Sequence, residues 1–209
     1  METLDQLGLK FGTDKASSGH NYLQYYERFF QPIRNDKLDI MEIGIWEGAS
    51  LRLWQEYFPN SLIYGVDIQE MKQWRHHRIH TYTCDQGDRS QLNDLIDQVG
   101  TMNIIIDDGS HEGIHQWISF ETLFPRLAPG GLYIIEDLLC SYDSRWNYPL
   151  DFKNKLREMI DQVQMSGAIP NSHICANKQE AVKKYYSDYL SEHIEWIFLA
   201  CGIVFIKKI

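Results

Sequence analysis

Two acidic pairs stand at the ends of apolar runs: Asp107-Asp108 closes Ile104-Ile105-Ile106, and Glu136-Asp137 closes Leu132-Tyr133-Ile134-Ile135. Gly109-Ser110-His111 follows the first pair directly. Short apolar runs ending in acids read as buried strands of an open α/β sheet, and such sheets bind ligands at the carboxyl ends of their strands. The four acids and His111 are therefore expected to converge on one pocket. Carboxylates brought that close repel and raise one another's pKa unless a bound metal supplies the missing charge. An oxygen-only ligand set of Asp108, Glu136 and Asp137 suits magnesium or a similar hard divalent cation. His111, three residues after Asp108, is expected beside the metal, where an imidazole can take the proton of a metal-bound hydroxyl.

The same stretch, His111-Glu112-Gly113-Ile114-His115, also spells the H-E-x-x-H of zinc proteases. There two histidines on one helical face bind zinc and the glutamate acts as base. Here the strand-end context puts His111 in a loop or first helical turn, Gly113 weakens a helix, and no third ligand stands out. A zinc metallohydrolase is the alternative reading.

A second group of residues looks built for a nucleoside. Glu42-Ile43-Gly44 ends an apolar run and Gly48 opens an amphipathic stretch, so the backbone can approach a ligand at a helix N-terminus. Asp67 ends the following run about 20 positions on, the spacing of an acid that takes a ribose diol in NAD and in S-adenosylmethionine alike. The dehydrogenase fingerprint G-x-G-x-x-G is missing, and bulky Trp46 stands between the two glycines, which counts against NAD. Asp85-Gln86, after a third run, is a candidate partner for an adenine amine.

These residues need a scaffold of alternating elements. Strands are expected over 38–43, 62–67, 79–84, 103–108 and 132–136, with helices over 49–58, 90–99 and 115–127 and a turn at Pro129-Gly130-Gly131. Such alternation implies right-handed crossovers and a parallel sheet. After Trp146, helices near 151–165 and 177–190 precede two apolar runs, 194–200 and 203–206. Only Cys201-Gly202 separates those runs, too short a link for a parallel crossover, so they form an antiparallel hairpin. The expected fold class is α/β, with a mostly parallel seven-stranded sheet and a C-terminal antiparallel hairpin, a pattern that suits a Rossmann-like class I methyltransferase better than a dinucleotide dehydrogenase.

The 209 residues, with no Pro/Gly/Ser-rich linker, are expected to form a single domain, 1–209. A hydrophobic content of 44% supports an ordinary core, and a net charge of -9 opposes binding to nucleic acid or an anionic membrane. Met1-Glu2-Thr3-Leu4-Asp5 lacks the character of a signal peptide and no run is long enough to span a membrane, so a cytoplasmic protein is expected. Cys84, Cys140, Cys175 and Cys201 show no CxxC spacing and are read as reduced and structural.

Asp107-Asp108-Gly109-Ser110-His111, followed by His115-Gln116, Ser119-Phe120, Leu123-Phe124-Pro125, Pro129-Gly130-Gly131 and Ile135-Glu136-Asp137, resembles the metal-dependent O-methyltransferases that tailor sugars of macrolide and related antibiotics. Glu42-Ile43-Gly44, Trp54 to Pro59, Gly65-Val66-Asp67-Ile68 and the opening Gly12-Thr13-Asp14-Lys15 with His20 and Tyr22 match as well. The resemblance makes Asp108, Glu136 and Asp137 the metal ligands and His111 the general base. It assigns Glu42, Gly44, Asp67, Asp85, Gln86 and Asp107 to S-adenosylmethionine, and the glycine loop adds Gly48 to the expected cofactor-binding residues. Lys15, His20 and Tyr22 would belong to an N-terminal segment, 1–36, that closes over the cofactor. The chain departs from the pattern at Cys84, where glycine is usual, and at Ala49, which replaces a second glycine.

The expected activity is transfer of a methyl group from S-adenosylmethionine to a hydroxyl of a sugar or glycosylated metabolite, with magnesium or a similar divalent cation. A non-catalytic S-adenosylmethionine-binding module is the other alternative. Residues 141–190, with Tyr142, Trp146, Tyr148 and Phe152, are expected to form a lid for the hydroxyl acceptor, and a homo-oligomer is expected.

Overall fold

The computed structural model describes residues 1–143, 152–167 and 189–209. Trp146, Tyr148, Cys175 and most of the helix expected over 177–190 lie outside the described residues. Strands β1 (Asp39–Ile43), β2 (Leu62–Asp67), β3 (Ile79–Thr83), β4 (Met102–Asp107) and β5 (Leu127–Ile135) are parallel neighbours in the order β3-β2-β1-β4-β5. The hairpin of β6 (Ile194–Ala200) and β7 (Ile203–Lys208) adds to β5 through β7, antiparallel, and completes a seven-stranded sheet. The sequence-based expectation of a parallel core with a terminal antiparallel hairpin therefore holds. Strand order reverses beside β1, whose neighbours are β2 and β4, and a crevice opens at such a switch point.

The sheet is apolar on both faces, as parallel strands covered by helices require. One face packs against α4 (Arg89–Val99), α5 (Gly113–Leu123) and α6 (Phe152–Gly167) through Leu92, Leu95, Ile96, Phe120, Leu123, Leu156 and Met159. The other packs against α1 (Leu4–Phe11), α2 (Leu23–Phe30) and α3 (Ala49–Tyr57) through Leu4, Leu7, Leu23, Tyr26, Phe30, Trp54 and Tyr57. A short last helix, α7 (Tyr189–His193), leads into β6. Among the described residues no helix is long and apolar enough to cross a membrane.

Helices α1 and α2 go beyond the sequence reading, which treats 1–36 only as a closing segment. Thr3 caps α1 by accepting from the Gln6 backbone N–H while the Gln6 side chain returns to Thr3, and Gly12 ends the helix in the left-handed conformation. Along α2, Leu23, Tyr26 and Phe30 recur at helical spacing and form its buried stripe.

Pro129-Gly130-Gly131, expected as a turn, lies inside β5. Met102 pairs with Leu127 but Ile104 pairs with Leu132, so the extra residues bulge outward with Gly130 at φ 72°. Proline and glycine mark a bulge here instead of a strand end. Cys84 and Cys140 are buried free thiols, as expected of structural cysteines, while free Cys201 is exposed on the hairpin turn.

Phe30 ties the N-terminal helices to the rest, its ring lying 5.1 to 5.8 Å from those of Tyr26, Trp54 and Phe58. Phe30→Ala should cost about 3–5 kcal/mol of stability, the range for emptying a buried aromatic site. Denaturant unfolding checks this, and a loss under about 1 kcal/mol would make α1 and α2 a detachable appendage.

Candidate functional site

The register of the sheet brings the strand ends into one row. Ile43 pairs with Val66 and Asp107, and Asp107 pairs with Ile135. The ladder continues one step beyond the strands: Gly44 donates to the Val66 carbonyl, Asp108 to Ile43, Glu136 to Asp107 and Cys84 to Asp67, all at 2.8 to 3.0 Å. Gly44, Asp108, Glu136 and Cys84 therefore sit side by side where the crevice opens.

A cavity of about 900 Å³ occupies that crevice. Its walls include Lys15, Gly44, Asp67, Asp85, Gln86, Asp108, His111 and Asp137, eight of the residues picked out from sequence. His20, Tyr22, Glu42, Gly48, Asp107 and Glu136 do not line it.

Strand alternation sends the two acids at the end of β4 to opposite faces. Asp107 points to the α5 face, where its buried carboxylate accepts from the Gln86 amide at 2.9 and 3.1 Å and from the Ser119 hydroxyl at 2.5 Å. Burial pushes the Asp107 carboxyl up, against those donors. The Gln86 carbonyl accepts in turn from the Ser110 backbone at 2.7 Å, so its amide braces two strand ends. Gln86 and Asp107, both expected to contact the cofactor, thus satisfy each other.

Asp108, Glu136 and Glu42 point to the opposite face and meet the N-terminal helices there. The Lys15 ammonium pairs with Asp108, lies 3.0 Å from Glu136 Oε2 and 3.6 Å from Glu42 Oε1. Tyr26 donates to Glu136 Oε1 at 2.5 Å, and Ser50 donates to Glu42 Oε2 at 2.7 Å. Burial alone would lower the Lys15 pKa, but Asp108, Glu136 and Glu42 outweigh it and hold the group well above the ordinary lysine value. Burial likewise pushes Asp108 and Glu136 up against the pull of Lys15, and carries Glu42 to about 7. One ammonium does not neutralise three carboxylates, and Asp137 adds a fourth. The chemistry of this donor set fits a further cation.

Among the described residues the group able to hold one is Asp108, His111 and Asp137, whose ligand atoms lie within 4.8 Å of one another. His111 Nε2 is 3.5 Å from Asp137 Oδ2, and its buried Nδ1 has no hydrogen-bond partner. Asp137 Oδ1 accepts from Tyr22 at 2.9 Å and lies 3.5 Å from His20 Nδ1. Glu136, expected as a ligand, has both oxygens turned to Lys15 and Tyr26.

The backbone shapes the rim. His111, Asp137, Trp46 and Asn21 all have φ between 44° and 59°, costly for residues with side chains, and the first three line the cavity. Gly44, at φ 95°, carries no Cβ because one would run into the Asp108 carbonyl. Asp67 accepts from the Ile45 and Gln69 backbones at 2.9 Å, which fixes its carboxylate between the glycine loop and the β2 end.

The H-E-x-x-H reading does not survive this geometry. His111 precedes α5 in a left-handed turn, Glu112 is the residue at the helix start, and His115 turns to Ser110, with Nδ1 2.9 Å from the hydroxyl. The two histidines share no helical face. Tyr26, absent from the sequence reading, and Ser119, present there only within the quoted motif, donate to acids at the site; the Tyr22/Tyr26 spacing of four was the available signal for the first.

No family model matches the chain. It is 46% identical over 143 residues to the 8-demethyl-8-alpha-L-rhamnosyl tetracenomycin-C 2'-O-methyltransferase of Streptomyces olivaceus, covering 65% of this chain and 38% of that protein. It is 41% identical over 146 residues to the demethylmacrocin O-methyltransferase of Streptomyces fradiae, covering 66% and 37%. The MycE methyltransferase from the mycinamycin biosynthetic pathway, crystallised with Mg and SAH, superposes with a TM-score of 0.86 at 30% identity over 99% of this chain and 54% of that one. The chain spans about half or less of the length of these relatives. Over the region they share, it is a homologue of the sugar O-methyltransferases of macrolide and tetracenomycin tailoring.

Proposed function

We propose that the chain carries an S-adenosylmethionine- and magnesium-dependent O-methyltransferase activity directed at a hydroxyl of a sugar on a glycosylated metabolite. The observation that carries this reading is the Asp108–His111–Asp137 group on the wall of a cavity that Asp67 and the Gly44 loop also line. Bound there, the cofactor would supply the methyl group and the cation would hold and acidify the acceptor hydroxyl. Asp67 receives the ribose hydroxyls, and the Gly44 backbone lets the amino-acid end approach. Asp108 and Asp137 hold the cation, with Glu136 in support through Lys15. His111 accepts the hydroxyl proton at Nε2, the nitrogen facing Asp137. Exposed Leu139 and Tyr142, just past Asp137, offer an apolar and aromatic surface for the sugar.

Calorimetry should detect binding of S-adenosylmethionine and of its demethylated product, and Asp67→Ala should weaken it by about 1.5–3 kcal/mol, the range for a hydrogen bond to a charged group. Absence of binding, or equal affinity for NAD, would remove the nucleoside assignment.

Methyl transfer to a rhamnosylated or macrolide-linked sugar should stop in EDTA and return with magnesium. Asp108→Ala and Asp137→Ala should remain folded by circular dichroism yet be inactive. Full turnover in chelator would leave the acids a structural role only.

His111→Ala should slow single-turnover methyl transfer by roughly 10²- to 10⁴-fold, the usual contribution of a general base. Its affinity for the cofactor should stay near wild type. A near-normal single-turnover rate would leave activation to the cation alone.

A further inference from the structure

Lys15 does more than belong to a segment that closes over a ligand. Its side chain is 2% exposed, and its ammonium reaches carboxylates from three strands: Glu42 at the end of β1, Asp108 after β4 and Glu136 after β5. Glu42 and Glu136 are as buried as the lysine, whereas Asp108 is 21% exposed and opens to the cavity. Asp137 takes no part; its partners are Tyr22, His20 and His111. The acids thus divide into an inner set closed around the ammonium and an outer edge of Asp108, His111 and Asp137. A second cation cannot enter the inner set without facing the ammonium at close range, so the outer edge is what remains open to it.

The lysine is also firmly placed. Its backbone carbonyl accepts from the Leu23 N–H at 3.1 Å, and its N–H donates to Thr13 Oγ1 at 3.4 Å, which fastens the turn after α1 to the start of α2. Helix α2 then sends Tyr26 to Glu136. A charge held from both sides of a turn is preorganised in the way a loosely bound ion is not.

We propose that Lys15 is the resident counter-cation of the site: it holds Glu42, Asp108 and Glu136 together in the absence of metal and confines a divalent ion to the outer edge. The second half of this proposal rests on the metal-dependent reading above; the first half does not. Lys15 is in this sense a positioning residue for the cation, acting through the acids.

Thermal unfolding and magnesium calorimetry of wild type, Lys15→Met, Glu42→Gln and the double variant test it. In EDTA, Lys15→Met should unfold roughly 10 °C below wild type, the scale of leaving buried carboxylates uncompensated in a chain of this size. Adding Glu42→Gln should recover part of that loss, since one buried charge fewer then lacks a partner. Saturating magnesium should raise the Tm of Lys15→Met more than that of wild type, and the variant should bind magnesium about tenfold more tightly or better, freed of the repelling ammonium. Should Lys15→Met be too unstable to purify, the double variant compared with Glu42→Gln carries the same test. Equal Tm in EDTA and equal magnesium response in wild type and variant would overturn the proposal. A loss relieved neither by magnesium nor by Glu42→Gln would also overturn it, leaving Lys15 a packing residue. Wild type that binds no magnesium would instead defeat the metal reading, and the EDTA comparison would still decide the counter-cation role.

Discussion

Three carboxylates leave the carboxyl ends of β1, β4 and β5 on the same face of the sheet, and a single ammonium from the N-terminal turn meets them there. Buried charges of one sign are tolerated only with partners, because desolvation of an ion costs several kcal/mol that hydrogen bonds and an opposite charge must offset. The fold supplies those partners from the turn after α1, from α2 and from α3: Lys15 to all three acids, Tyr26 to Glu136, and Ser50 to Glu42. The tyrosine is well suited to donate, since burial and the neighbouring acids push the Tyr26 hydroxyl well above its ordinary pKa and keep its proton in place. Docking of the N-terminal helices and assembly of the acid site are consequently one event.

The two-residue period of a strand then gives each member of an acidic pair a different task. Asp107 turns toward α5 and is enclosed by Gln86 and Ser119, which ties β3, β4 and α5 to one another. Asp108 turns the other way and keeps an open side toward the cavity. Glu136 and Asp137 divide likewise, the first buried beside Lys15 and the second in a left-handed turn at the cavity wall. A framework acid thus stands directly beside an exposed one in each pair, and the framework acid fixes the backbone from which the exposed one projects.

Strain at the rim fits the same division of labour. Of the four non-glycine residues with positive φ among those described, Trp46, His111 and Asp137 line the cavity, and Asn21 follows two residues after the lining Gly19. The Asp108 N–H bonds to Ile43 ahead of the His111 turn, and the Leu138 N–H bonds to Gly202 just past Asp137, so the β6–β7 hairpin buttresses the second acid. Trp46, 73% exposed in the glycine loop, stays at the surface of the cavity mouth instead of filling it. The apolar cost of that exposure is the kind of feature a ligand-binding rim carries.

Much of this was legible in the chain. The period-two and period-3.6 patterns marked seven strands and the helices between β1 and β5, because apolar runs of strand length bounded by glycine, proline and acids have few other readings. The hairpin followed from a two-residue link, and the acid, histidine and glycine positions followed from where strands end. Sequence could not tell which neighbour each acid would face. That depends on the face of the sheet each residue takes and on which helices cover it, and the covering helices α1 and α2 lie far from the acids in the chain. Lys15 is the clearest case: the sequence reading places it only in a segment that closes over the cofactor, and the packing of Leu23, Tyr26 and Phe30 against the sheet carries its ammonium into the acids. The H-E-x-x-H spelling was settled in the same way, since a left-handed backbone at His111, set by the end of β4, separates two histidines that helical spacing alone would have joined.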